Sequence, residues 1–266
     1  MKIYKKIQLL IVALMISVVS LQASNNKTIN AILDMGAQMS NMRNMLETYS
    51  LLATQVSYKS PEKRLKSSIA EYESTLDTMS KNFKDKEIIT SVKVSRKAWK
   101  PIKKALLTPL SDNDKKKMMD EGLFIHENIR SVIKELAKMK KYLLKKESIK
   151  GGDLLNASIE IQASSQRLSA HYAMKMWGLP DPTIQKHWDN GVKIYTDSIK
   201  TLKASEFYKN KEFKKELDNT EKHLKYFNIV IMFEDKFVPV LVHDKAEDTF
   251  KSGKKLSKII LDKIAK

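Results

Sequence analysis

The stretch "LLNASIEIQASSQRLSAHYAMKMWG", Leu154–Gly178, decides how this chain is read. No proline interrupts it before Pro180, and Gly178 is a helix stop signal, so one long helix is expected. Ser158, Gln162, Ser165 and Ser169 fall 4, 3 and 4 residues apart and share one face of that helix. Leu154, Ile161 and Leu168 form an apolar stripe beside them. A buried polar side chain costs free energy unless it is hydrogen-bonded. The seam is therefore wet, paired to other helices, or shaped for a polar ligand, and its four residues are the candidate ligand-binding set.

Working outward, the same helix has a counterpart nearer the N-terminus. Ile32, Met35, Met39, Met42, Leu46, Tyr49, Ala53 and Val56 alternate spacings of 3 and 4, an apolar heptad seam. Methionines at that spacing fill cores, with soft-metal binding by Met35, Met39, Met42 and Met45 as the alternative. Placing Tyr49 on Tyr172, an offset of 123 residues, also sets Tyr72 on Tyr195, Ile69 on Val192, Leu76 on Ile199 and Met79 on Leu202. The chain reads as a tandem duplication, 27–147 and 151–266, jointed at Gly151-Gly152 with Asp153 as the following helix cap.

Each half reads as four helices. In the first they fall near 28–57, 61–83, 86–107 and 112–147, with Ser60-Pro61-Glu62 as cap, first helical residue and first-turn acid. In the second, Asp181-Pro182 repeats that signal. Helices follow there near 181–204, 206–233 and 240–264, with Pro239 kinking or ending the third. The expected fold is all-α: two tandem antiparallel four-helix-bundle-like units after a signal peptide.

The N-terminus, "MKIYKKIQLLIVALMISVVSLQASNN", has lysines at 2, 5 and 6, an apolar run Leu9–Val19 and small residues near Ala23. It reads as a cleaved secretory leader over 1–23, with a retained N-terminal anchor as the alternative. The formal charge is +18, and the remainder without the three leader lysines carries +15. On an exported chain that balance points to anionic lipid, an acidic partner or small anions rather than to nucleic acid, or to a plain solvated basic surface, since the lysines are scattered along helix faces. There is no cysteine, which excludes disulfides and thiolate chemistry.

With these residues in hand, "LNASIEIQASSQRLS" resembles the opening signature of the PilJ/NarX-like sensor domain, the N-terminal domain of type IV pili methyl-accepting chemotaxis transducers, approximately L-N-x-A-G-x-Q-R-M-L-S-Q-R-M. Leu155-Asn156 match its start, Ser158 stands at the alanine, and Ser165-Gln166-Arg167-Leu168 match its end. "MGAQMSNMRNM" resembles it again through Gly36, Gln38 and Met45. The resemblance implies a periplasmic four-helix bundle that senses a ligand and signals across a membrane. It further implies that the first signature arginine meets an anion at a dimer interface. Met39 and Gln162 stand at that position, and the second arginine survives as Arg167, with Asn44 opposite it in the repeat. The partners so implied are a small anion or metabolite, a membrane-bound sensor or envelope protein, and a second copy in a homodimer.

His126, His171, His187, His223 and His243 stand apart in sequence with no metal-ligand spacing. No phosphate loop, nucleophile elbow or haem motif is present, so neither a cofactor nor an enzyme is expected. Arg167 lies two residues from both Ser165 and Ser169 and faces away from the seam, an interface or inter-helix salt-bridge residue, with an anion ligand as the alternative. Tyr172, Trp177 and Trp188 are expected to form an aromatic corner at the first turn of the second half.

Overall fold

The structure is a computed structural model that describes the backbone of residues 2–110, 114–233 and 236–264, with side chains from residue 27 onward. The expected leader over 1–23 falls on side chains outside the described residues. Among the described residues the fold is all-α, with no strand. The helices are α1 (Lys2–Ala53), α2 (Pro61–Asn82), α3 (Lys86–Leu106), α4 (Lys115–Lys146), α5 (Gly152–Trp177), α6 (Ile184–Lys203), α7 (Lys211–Val230) and α8 (Pro239–Ile264). No helix among the described residues is long and apolar enough to cross a membrane.

Helix ends depart from the expected caps for local reasons. Pro61 opens α2, but Ser60 sits in the left-handed region at φ 48° and its hydroxyl caps nothing. α1 stops at Ala53, so Val56 leaves the heptad seam. The joint is capped by Gly151 at φ 68°, with Asp153 already inside the first turn of α5. Asp181 caps a tight turn by accepting from the Thr183 backbone N–H and hydroxyl, and α6 starts only at Ile184. The segment expected as one helix over 206–233 is a 3-10 turn, Glu206–Lys209, followed by α7, whose first turn is capped by the Asn210 side chain. Pro239 is the first residue of α8 and kinks nothing, because a first-turn proline has no N–H to forfeit.

The helices α1–α4 close a ring of neighbours in the order α1, α2, α3, α4, and α5–α8 close a second. The rings lie side by side, joined chiefly along α1 and α5. These two run parallel, because the paired positions rise together: Gly36 with Ile159, Arg43 with Ala163, Asn44 with Gln166 and Glu47 with Ser169. At Gly36 the helices pack closely, since any Cβ there would run into the Ile159 side chain.

α5 is consequently buried almost all round. Leu155, Ile159, Ala163, Ala170 and Met174 complete the first core, around the buried methionine seam of α1. Ala157, Ile161, Leu168 and Tyr172 complete the second, with Phe213, Phe227 and Leu256. Burial of this kind contributes about 25 cal/mol per Å² of apolar surface.

Candidate functional site

The polar seam turns out to be an internal weld. Ser158 shares a 2.7 Å hydrogen bond with Ser257 of α8. Gln162 donates to the Ser158 carbonyl and to the Ser257 hydroxyl. Ser165 donates to the carbonyls of Gln162 and Ala246, and Ser169 donates to Glu47 at 2.6 Å. All four are buried. Their hydrogen-bonding capacity goes to α8, to α1 and to carbonyls of α5 itself, and none of them lines the cavities described below. The seam answers its own spacing: small polar residues let α8 approach α5 closely while each hydroxyl finds a carbonyl or carboxylate.

The expected aromatic corner is split between the two cores. Tyr172 and Trp188 lie in the second, where the Tyr172 hydroxyl accepts from the Val238 N–H. Trp177 turns to the first, edge-on to Tyr49 with centroids 5.9 Å apart.

Two cavities flank the α1/α5 seam on opposite sides. One, about 310 Å³, lies toward α2 and α8. Its wall includes Asn44, Gln166, Arg64 and His243, and these are already bonded to one another or to Thr48. Behind it Glu47 is buried, its Oε1 taking hydrogen bonds from Ser169 and His243. Burial pushes this carboxyl up, but His243, Ser169 and Arg64 together hold it below its ordinary value. The glutamate stands between the serine and the histidine, so no histidine is placed to take the serine proton.

The other cavity, about 390 Å³, lies toward α4 and α6 and is chemically unlike the first. Arg43 of α1 and Arg167 of α5 wall its inner side. His126 of α4, His171 of α5 and His187 of α6 wall one end, with ring centroids 5.6 to 5.8 Å apart pairwise. Arg130 and Lys134 stand exposed on its rim. Glu160 is the acid on the wall, and Lys140 holds it at 2.6 Å. Gly191 of α6 makes room for the arginine, since a Cβ there would come within 2.9 Å of Arg167 Cδ.

Polar atoms on this wall lack partners. Arg167 Nη1, His171 Nε2 and both ring nitrogens of His126 are buried without a hydrogen bond. His126 Nε2 lies 2.9 Å from Asp181 Oδ2 but is too poorly aligned to bond it. Buried orphan donors and acceptors of this kind cost about 1–3 kcal/mol each. Burial, with the nearby cations, lowers the histidines, His126 to about 4 and His171 to about 3, with His187 also lowered. Arg43 is pushed well down by burial and by Arg167, and Glu160 eases it only in part. Burial raises Glu160, but Lys140, Arg43 and Arg167 outweigh that and keep it below its ordinary value. Among the described residues no group of three histidines or carboxylates is placed to hold a metal ion.

Three of the five histidines that stand apart in sequence, His126, His171 and His187, thus meet in space. Arg167 does face away from the serine seam, and that opposite face is where this cavity opens. Arg43, Arg130, His126 and His187 were not singled out as site residues by the sequence. One signal was available: the chain has five arginines among 49 basic residues, and three of the five wall this cavity. No family model, curated protein or solved structure matches the chain.

Proposed function

We propose that the chain is an exported, non-enzymatic ligand-binding or sensory protein, built from two PilJ/NarX-like units, that passes a signal to a membrane partner. The cavity between α1, α4, α5 and α6 carries this reading: it concentrates buried polar groups whose hydrogen bonds are unmade. Its position also suits signalling. A ligand there touches both rings at the seam where α1 and α5 meet, and α1 continues toward the N-terminal segment. Resemblance of the two opening helices to one signature supports the same reading. The test is thermal unfolding of the purified protein against a panel of small anions and metabolites. A bound ligand stabilises the folded state as RT ln(1 + [L]/Kd). A saturable rise for one compound, lost in Arg167→Met, supports the reading, and a flat response across the panel overturns it.

A second reading, a structural adaptor on an anionic membrane face, rests on a separate observation. The α2–α3, α4–α5 and α6–α7 turns and the end of α8 share the end of the molecule from which the N-terminal part of α1 departs. Contacts of Lys27 with Phe83, Lys146 with Asp85, Gly151 with Ile264 and Lys263 with Glu206 fix that grouping. Lys84, Lys86, Lys145, Lys150 and Lys209 are exposed there. Salt-sensitive binding to vesicles containing anionic lipid, without a small-molecule response, is the outcome that favours it.

A further inference from the structure

The cavity walled by Arg43, Arg167 and three histidines has a charge and proton inventory that names its ligand class. Arg43 faces it from α1, Arg130 and Lys134 from α4, Arg167 from α5 and His187 from α6, with Lys186 nearby on α6. Against these stand Glu160, already claimed by Lys140, and Asp181 at the α5–α6 turn beside His126. Cationic groups outnumber the free carboxylates, so one negative charge leaves the wall under-compensated.

The histidine tautomers follow from their partners. His171 Nδ1 lies 2.6 Å from the Arg167 carbonyl, so it carries the proton and donates. Nε2 of the neutral ring is then a bare lone pair, and it is the atom left without a partner. His187 Nε2 faces the Arg130 guanidinium, which can only donate, so this ring accepts there. An anion entering the cavity meets the free donor of Arg167 Nη1, but at His171 Nε2 it meets a lone pair where it needs a donor. Protonation converts that nitrogen into a donor, and the anion's charge offsets the repulsion between the imidazolium and the arginines.

We propose, resting on the binding reading above, that this cavity takes a small oxygen-bearing dianion and that its binding is coupled to proton uptake by the His126–His171–His187 cluster. Such a ligand carries two charges and several acceptor oxygens, the shared chemistry of a phosphate group and of a short dicarboxylate. Its affinity rises as pH falls, because the bound state holds protons that the empty state does not. Burial and neighbouring cations keep the empty rings neutral near pH 7, which makes the uptake measurable there.

Sulfate is the first probe, because it remains a dianion throughout the range and every proton taken up comes from the protein. Calorimetric titration at pH 7.5 and 5.5, in buffers of different ionisation enthalpy, counts those protons on the unaltered protein. The expected result is binding at least about fivefold tighter at pH 5.5, with proton uptake approaching one per site. Inorganic phosphate and malonate distinguish the two ligand sources, while chloride and nitrate serve as monoanion comparisons. His126→Gln with His171→Gln removes the pH dependence, and the milder His187→Gln weakens it. Dianion binding with equal affinity at both pH values and no proton uptake overturns this inference and leaves the binding reading intact. A site that prefers monoanions or neutral metabolites does the same. Failure of these anions to bind overturns this inference alone, and a flat response to the metabolite panel as well overturns both.

Discussion

Arg43 Nη1 donates a 2.7 Å hydrogen bond to the carbonyl of Ala163, 120 residues further along the chain. A fully buried guanidinium on α1 is thus seated on the backbone of α5, with Arg167 as its like-charged neighbour. A stable protein rarely keeps two arginines together in a low-dielectric seam without a counter-ion for each.

Arg43→Met should therefore fold at least as well as the parent in the absence of ligand. The expected change is a gain of about 1 kcal/mol, since replacing a buried charge by an apolar side chain of similar size is often neutral or stabilising. Urea unfolding measures it, and the same variant should lose any anion-induced rise in melting temperature. A loss above about 3 kcal/mol would instead make Arg43 a structural clamp.

The serine seam gives the opposite expectation. Gln162→Leu with Ser165→Leu removes two hydrogen bonds to α8 and adds bulk where Gly253 and Ala246 approach α5. The double variant should lose about 3 kcal/mol or more, because the Ser257 hydroxyl loses a partner and the core is overpacked. No change in ligand response is expected if the variant is assayed below its melting point.

Stability should fall on mild acidification. His126 and His171 are held near 4 and 3 in the folded state, against about 6.5 in the unfolded chain. The unfolded state therefore binds more protons below pH 6.5, so stability is full above that value and declines as pH falls toward 4. The loss between pH 6.5 and 4.5 should be on the order of a few kcal/mol. It should flatten in His126→Gln with His171→Gln. Saturating sulfate should flatten it as well, if the cavity takes up protons with its ligand.

Glu47 tests the buried network behind the other cavity. Glu47→Ala leaves His243 and Arg64 without their carboxylate and should cost about 3–5 kcal/mol at pH 7. The carboxyl's folded value is lowered, so its stabilisation is present above the unfolded value and is lost as pH falls through the folded one. The penalty of Glu47→Ala should shrink accordingly in acid, as read from denaturant midpoints at pH 7 and pH 4.

Gly36 and Ile159 should couple across the seam. Gly36→Ala is expected to cost about 1–3 kcal/mol, since its Cβ meets the Ile159 side chain. Ile159→Ala in the same chain should return part of that loss. A double-mutant cycle with no coupling would mean that the helices shift apart freely.

Much of the fold was legible from local signals. The heptad of α1, the Pro61 start of α2, the uninterrupted run of α5 and its Gly178 stop report backbone preferences and one-dimensional periodicity, which act within a few residues. Ser60, Asp153 and Pro239 misled because the same residue types serve a turn, a first helical turn or a cap according to backbone angles that neighbouring packing sets. The serine seam is legible in the sequence as a stripe, but which of its three readings holds is not. Whether a polar stripe meets water, a ligand or another helix depends on which helix lies opposite.

By itself, then, the sequence determined that this chain is helical, where most of its helices begin and end, and that α5 carries a polar face opposite Arg167. Tertiary structure alone decided that α1 and α5 lie parallel, and that His126, His171 and His187 converge from three helices. It also left Arg43 and Arg167 in one seam, with Arg167 Nη1 unpaired. Periodicity follows from the backbone of one helix, whereas a site made of residues 43, 126, 167, 171 and 187 exists only when packing has chosen which faces meet.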